Sequence, residues 1–205
     1  MTRLEFICDI AASIAAKALD AAYKVHYEGK LPKGPSFIFA KHQGRLDQFL
    51  IGAMLHRQNR RPANYIMRKF KFPMHYLLQI GGGILVVRSI DVRRRHYSGQ
   101  QEKEINNRAA KYAISRLELG ETLAMFPEGT RAYKKLHTPF KMWIPEQILQ
   151  AYGKELPCTP LGIEYEDERK RGSHIWVRAG EPFYVKNTTE LEQRLLIEIP
   201  KLSGL

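Results

Sequence analysis

A histidine and an aspartate stand five residues apart in the segment K-H-Q-G-R-L-D at residues 41–47. A neutral imidazole has a pKa near 6.5, so His42 could take a proton from a hydroxyl group at neutral pH. A carboxylate bonded to the other ring nitrogen would fix the tautomer and stabilise the imidazolium, and Asp47 offers one. A surface histidine before a helix-capping aspartate explains the same spacing, so the pair alone is a weak signal.

The two side chains can meet only if the backbone turns between them. A continuous helix would rotate them about 140° apart over five residues, and a strand would separate them by roughly 16 Å. Gly44 lies between them and permits a turn. We therefore expect the pair at the point where a strand over residues 36–40 ends and a helix begins. That point is the carboxyl edge of a sheet, where α/β proteins place their sites.

A second segment, F-P-E-G-T-R at residues 126–131, follows another apolar stretch. Pro127 and Gly129 predict a tight turn with exposed backbone amides. Arg131 could then hold a phosphate through two hydrogen bonds. Because an acid beside a phosphate is repulsive, Glu128 is interpreted as a loop anchor, as a partner for an arginine or as a ligand for a hydroxyl group. An ordinary turn after a strand is the alternative.

Arg88 ends the segment G-G-G-I-L-V-V-R at residues 81–88. It is either a second phosphate ligand or a solvated arginine at a strand end. Glycines can surround a phosphate where a helix begins directly after them. A strand is predicted after these three glycines, so a nucleotide-binding loop is not expected.

Charge and composition narrow the classes of partner. Lys and Arg number 33 against 21 Asp and Glu, a formal charge of +12, which favours nucleic acid, anionic lipid or a phosphorylated substrate. No nucleic-acid recognition motif accompanies the scattered basic clusters, so we do not expect a nucleic-acid partner. Nucleic-acid binding remains the alternative function from a different class.

Two cysteines, Cys8 and Cys158, lack metal-ligand spacing, and a reducing cytoplasm without a disulfide is expected. No stretch approaches the roughly 18 apolar residues of a membrane span.

Hydrophobic periodicity predicts the elements that would position these residues. Residues 3–25 read as one amphipathic helix, which could lie in a membrane interface or pack on its own domain. Further strands are expected at 36–40, 64–67, 84–87, 122–126, 158–165 and 174–179. Further helices are expected at 47–57, 72–80, 100–118, 145–152 and 189–199. The alternation predicts an α/β fold: a single domain at 31–205 with a mixed, largely parallel sheet flanked by helices, preceded by the N-terminal helix at 1–30.

These residues resemble the glycerophospholipid acyltransferases, most closely the bacterial 1-acylglycerol-3-phosphate acyltransferases. That family carries four blocks in one order, and the agreement covers roughly residues 35–165. The matching positions are His42 with Asp47 as H-x4-D, Arg88 after Gly82 and an apolar strand, the intact Phe126–Arg131 segment, and Pro160 in an apolar strand. The sequence departs at Gly44 and Ala132, where the family often has serine, and at Val87, where it usually has aspartate.

The resemblance implies a reaction of phospholipid biosynthesis. An acyl group would pass from an acyl thioester of coenzyme A or acyl carrier protein to the free hydroxyl of a lysophosphatidate-like acceptor. His42 would be the general base, oriented by Asp47, and no acyl-enzyme would form. Backbone amides near Gly129 or Gly44 would hold the developing oxyanion. Glycerol 3-phosphate or another lysolipid is the alternative acceptor.

The resemblance also implies how the substrate is held and where the enzyme works. The acceptor phosphate would be bound by Arg88, Glu128, Gly129, Thr130 and Arg131. No metal and no bound cofactor is required. The protein would be peripheral or monotopic on the cytoplasmic face of the membrane. Its N-terminal helix and basic surface would contact anionic lipid, with each basic residue adding about 1 kcal/mol.

Two other functions would use the same residues differently. A hydrolase could employ the His42–Asp47 pair on an ester or phosphate, but the sequence has no G-x-S-x-G nucleophile and no convincing metal-ligand set. A non-catalytic lipid-binding relative would not need both members of the pair, and both are intact.

Overall fold

The computed structural model describes residues 3–60, 63–69, 82–94, 96–152 and 156–205, with side chains from residue 13 onward. Its strands are β1 (Lys24–Glu28), β2 (Ser36–Ala40), β3 (Ala63–Arg68), β4 (Gly83–Val86), β5 (Thr122–Met125), β6 (Cys158–Tyr165) and β7 (His174–Ala179). Its helices are α1 (Arg3–Ala22), α2 (Asp47–Asn59), α3 (Ser89–Arg93), α4 (Gly99–Glu118), α5 (Trp143–Tyr152) and α6 (Thr188–Leu202).

The seven strands form one sheet in the order β1-β7-β6-β2-β5-β3-β4. Strands β2 to β6 run parallel to one another, β7 is antiparallel to β6, and β1 is parallel to β7. This arrangement confirms the predicted α/β fold with a mixed, largely parallel sheet. Because β2 to β6 point the same way, the loops that follow them open at one edge of the sheet.

Helices cover both faces of the sheet, and β2 shows why. All five of its residues are buried. Phe37 and Phe39 join the hydrophobic cluster formed with α4, α5 and α6. Ile38 and Ala40 join the cluster formed with α1 and α2. Continuous burial of this kind is typical of a parallel strand covered on both sides, so β2 is a rigid base for the loop that follows it.

The N-terminal helix is shorter than predicted. It ends at Ala22, and Lys24–Glu28 pairs with β7 instead, so the prediction of helix through residue 25 is wrong. Exposed and half-buried side chains alternate along β1, which is the period of two expected of a strand. The helical spacing of the apolar residues before β1 continues to residue 25, so the sequence did not indicate where the helix ends. Ala16 and Leu19 of α1 are buried in the core that also contains α2. The part of α1 with described side chains is therefore packed on the domain.

Two further expectations concern membrane spans and one helix. The helix predicted over 72–80 lies outside the described residues. In the part of the chain that the structure covers, no helix is long and apolar enough to cross a membrane.

Candidate active site

His42 and Asp47 meet across the turn that joins β2 to α2. His42 Nδ1 lies 2.8 Å from Asp47 Oδ2. The Asp47 side chain is fully buried, while 19% of the His42 side chain is exposed. Within the described part of the chain, Nε2 of His42 makes no hydrogen bond. The ring therefore has one nitrogen held by a buried carboxylate and the other available to a substrate.

Asp47 fixes the turn as well as the imidazole. Its Oδ2 accepts hydrogen bonds from the backbone amides of Gln43, at 2.7 Å, and Gly44, at 3.0 Å. Helix α2 begins at Asp47 itself, and Leu46 at the capping position makes no side-chain cap. The helix-capping interpretation of the aspartate is thus excluded. Because an ionised carboxylate only accepts, Nδ1 of a neutral His42 carries the proton and Nε2 is the basic nitrogen.

Tyr165 completes the environment of Asp47. Its hydroxyl donates to Asp47 Oδ1 at 2.5 Å from the last residue of β6. Burial first, and then the charge of Asp47, raise the pKa of Tyr165 far above its usual value, so the hydroxyl remains a donor. Local sequence patterns do not point to this residue, because it lies 118 positions from Asp47. The available signal was its place at the carboxyl end of a strand beside β2.

Phe126 holds the other side of the imidazole. Its ring stacks on His42 with centroids 4.1 Å apart and planes inclined by 18°. Phe126 directly follows β5, which neighbours β2 in the sheet. The first residue of the F-P-E-G-T-R segment therefore limits the rotation of the His42 ring, and the two segments form one site.

A buried ion pair joins these two segments. Lys41 Nζ lies 2.9 and 3.0 Å from the two carboxylate oxygens of Glu128, and both side chains are fully buried. Lys41 Nζ also donates to the carbonyl of Ala132 at 2.7 Å. Glu128 further accepts from the backbone amides of His42, at 3.1 Å, and His137, at 3.0 Å. The geometry corresponds to the loop-anchor interpretation of Glu128, because both oxygens are occupied inside the protein.

The turn after Glu128 leaves fewer free amides than expected. Gly129 has φ +66° and its amide donates to the Phe126 carbonyl at 3.0 Å. The amide of Gly44 is bonded to Asp47. Neither of these two amides is free for an oxyanion in this conformation, so an oxyanion site here would need neighbouring amides. Thr130 and Arg131 are exposed, and no hydrogen bond of the Arg131 guanidinium is found among the described residues.

Arg88 reaches this turn from the segment between β4 and α3, where it precedes the first residue of the helix. Its Nη1 donates to the Gly129 carbonyl at 3.4 Å, and its Nε lies 3.2 Å from Asp91 Oδ2. One third of its side chain is exposed. Asp91 also binds Arg68 Nη2 at 2.5 Å. Burial alone would raise the pKa of Asp91, but its bonds to Arg88 and Arg68 outweigh burial and hold that pKa below its usual value.

Local sequence patterns do not single out Arg68. It ends β3, one strand from Arg88, and the shared partner Asp91 brings the two guanidinium groups together. Position at the end of a parallel strand was the signal that could have identified it.

Among the described side chains, the remaining candidate groups form no second site for chemistry, and the side chain of Cys8 lies outside them. Cys158 is buried inside β6, and burial raises the pKa of its thiol to about 12. A protonated, inaccessible thiol is not a nucleophile. Across the described ranges, no group of three or more His, Cys, Asp or Glu side chains is arranged to hold a metal ion.

Comparison with known proteins places this arrangement in a family. The acyltransferase family model matches residues 22–164, well over half of the chain. The chain belongs to the acyltransferase family. The matched region contains the His42–Asp47 pair, Arg88 and the Phe126–Arg131 segment. The predicted resemblance is thereby confirmed, and the protein is an acyltransferase.

A solved structure shares the fold of this acyltransferase. It is the crystal structure of the 1-acyl-sn-glycerophosphate (LPA) acyltransferase PlsC from Thermotoga maritima. The TM-score is 0.60 at 19% sequence identity, covering 95% of this chain and 76% of that one. A sequence comparison with curated proteins finds no match.

Proposed function

We propose that this acyltransferase moves a fatty acyl group from an acyl thioester to a hydroxyl of a lysophosphatidate-like acceptor. One observation carries the proposal: the free nitrogen of His42 and the guanidinium groups of Arg88 and Arg131 belong to loops at the same edge of the sheet. The site thus combines a base, His42, with two arginines whose guanidinium groups can bind a phosphate. The resemblance of the sequence to 1-acylglycerol-3-phosphate acyltransferases supports the same reaction.

The reaction proceeds by direct attack. His42 Nε2 takes the hydroxyl proton as the acceptor oxygen bonds to the thioester carbonyl carbon. The carbon–sulfur bond then breaks, and the thiolate leaves with its electron pair. Because thiols have a pKa near 8.5, this leaving group needs little help, and the proton on His42 can return to it. Coenzyme A and acyl carrier protein both supply such a thioester.

We propose two roles for the residues predicted to bind the phosphate. Arg131 and Thr130 are exposed and Arg88 is partly exposed, so we assign them to the acceptor phosphate. Glu128 is buried against Lys41, so we assign it to supporting the loop. Gly129 shapes the turn with its positive φ and offers its carbonyl to Arg88.

Replacement of Arg131 with glutamine tests phosphate recognition. We expect KM for lysophosphatidate to rise about 10- to 100-fold, the value of a charge-assisted bidentate contact, with a smaller change in kcat. Transfer to a monoacylglycerol of the same chain length should not change, because that acceptor has no phosphate. Arg171→Gln, an exposed arginine outside these loops, is the matched control. A proportional loss with both acceptors would contradict the assignment.

A panel of substrates distinguishes the acceptors and donors. Lysophosphatidate, glycerol 3-phosphate and lysophosphatidylcholine should each be offered to the purified enzyme with long-chain acyl-coenzyme A and with acyl carrier protein loaded with the same chain. The proposal expects the highest kcat/KM for lysophosphatidate. A higher value for glycerol 3-phosphate would change the acceptor while leaving the reaction class intact.

We also propose that the enzyme is peripheral on the cytoplasmic face of an anionic membrane, contacted partly by α1. Ile14 on α1 is 63% exposed although Ala16 and Leu19 on the same helix are buried. An exposed isoleucine on a helix with one packed face, in a protein of charge +12, suits a membrane interface.

Replacement of Ile14 with aspartate is expected to weaken binding to anionic vesicles about 10-fold. The reason is that the variant loses an aliphatic side chain that would be buried in the membrane interface. It also gains a negative charge that the anionic lipids repel. Vesicle sedimentation measures the effect. Ile197→Asp is the matched control, since Ile197 is 67% exposed on α6. Equal binding by both variants and the wild type would remove α1 from the interface.

A further inference from the structure

We infer that Tyr165 is a positioning residue of the catalytic pair: its hydroxyl withdraws charge from Asp47 and thereby weakens the attraction of that carboxylate for the imidazolium form of His42. The inference rests on the proposed role of His42 as general base. Tyr165 touches neither substrate nor the reacting nitrogen, and it acts through Asp47.

The two carboxylate oxygens of Asp47 have different hydrogen-bond donors, and Tyr165 bonds only one of them. Oδ2 receives Nδ1 of His42 and two backbone amides, whereas Oδ1 receives the hydroxyl of Tyr165 at 2.5 Å. Asp47 is fully buried and Tyr165 is 3% exposed. Solvent therefore does not substitute for this hydroxyl, and its loss leaves one carboxylate oxygen without the donor that it has in the wild type.

Gly44 makes room for this arrangement. A Cβ at residue 44 would lie 2.9 Å from the Tyr165 hydroxyl and 2.7 Å from Glu168 Oε1. Glu168 in turn accepts from the backbone amide of Arg45 at 2.7 Å. A side chain at residue 44 would therefore press on both Tyr165 and Glu168.

The physical consequence is a shift in basicity of defined sign. A donor on Asp47 stabilises its anion and lowers its attraction for the proton of His42 Nδ1. Without that donor, the carboxylate binds the imidazolium more strongly and the pKa of His42 rises. A larger share of His42 is then protonated near neutral pH and cannot act as a base.

Loss of the Tyr165 hydroxyl would leave the other charged and titratable groups around the pair in place. Glu168 and Tyr23 face Tyr165 from the segments after β6 and α1. Lys41 and Glu128 neutralise one another behind the His42 backbone. The hydroxyl on Asp47 is thus the group whose removal changes the pair directly.

The test is the replacement Tyr165→Phe, which removes the hydroxyl and retains the ring. The midpoint of the acidic limb of kcat/KM against pH is expected to move upward by about one unit, giving roughly 10-fold lower activity near pH 6 and little loss near pH 9. NMR titration of the His42 imidazole in the enzyme without substrate should show the same upward shift. Tyr23→Phe is the control, because its hydroxyl bonds the backbone carbonyl of Glu168 and should cause no shift.

Gly44→Ala provides an independent second variant. Its methyl group must displace Tyr165 and Glu168, so an upward shift in the titration of His42 is again expected. This variant carries the test if Tyr165→Phe does not fold. An equal loss at all pH values, an unmoved titration or a downward shift would each overturn the inference. Absence of transfer to lysophosphatidate by the wild type would instead contradict the proposed function, and the NMR titration is independent of that result.

Discussion

Replacing His42 with alanine is expected to lower kcat for acyl transfer about 10³-fold while the protein remains folded. General-base catalysis contributes about 10² to 10⁴ in rate, and no other base within the described residues is placed on the Asp47 carboxylate. The imidazole is partly exposed, so its removal leaves only a shallow space beside Phe126. A large kinetic effect with a small structural effect is the signature of a catalytic group.

Steady-state assays with acyl-coenzyme A and lysophosphatidate measure this loss, and thermal unfolding reports stability. His137→Ala is the matched control, because that side chain is exposed on the neighbouring loop and only its backbone amide contacts Glu128. Asp47→Asn should also be nearly inactive, since an amide permits the wrong tautomer of the imidazole. Activity of His42→Ala within a few-fold of the wild type would refute the general-base assignment.

Replacing Glu128 with alanine is expected to lower the free energy of unfolding by about 3–5 kcal/mol. The change leaves the ammonium group of Lys41 fully buried without its carboxylate. It also removes the acceptor of the backbone amides of His42 and His137. Activity should fall as well, because the His42 backbone loses one of its anchors.

Denaturant-induced unfolding measures the stability change. Glu181→Ala at an exposed position is the control and should change stability by no more than about 0.5 kcal/mol. A double variant, Lys41→Met with Glu128→Leu, should be more stable than Glu128→Ala because no unpaired charge remains buried. A stability loss below about 1 kcal/mol in Glu128→Ala would show that the ion pair does not hold the two loops together.

Local sequence patterns predicted most of the framework. Apolar runs at β2, β5 and β6 are long enough, and bounded clearly enough by turns, to indicate buried parallel strands. Gly44 between His42 and Asp47 indicated a turn, and the strand before it indicated the edge of a sheet. These inferences depend on neighbours along the chain, which is why the structure agrees with them.

The groups that local sequence patterns did not indicate depend on distant partners. Local patterns gave no sign that Lys41 would be buried, because its partner Glu128 is 87 positions away. Tyr165 read as the end of an apolar strand, and its hydroxyl meets Asp47 118 positions away. The pairing of Arg68 with Arg88 needed Asp91 and the adjacency of β3 and β4. Burial of a charged side chain follows from the assembled sheet, not from local periodicity.

The most direct test of acyl transfer without an acyl-enzyme follows both products in one reaction. Purified wild-type enzyme is mixed with long-chain acyl-coenzyme A and lysophosphatidate, and free thiol and diacylated product are quantified together. The account predicts equal amounts of the two, formed only when both substrates are present, with no acyl group on the protein by intact mass spectrometry. Thiol release without the diacylated product, or an acylated protein that then donates to lysophosphatidate, would contradict it.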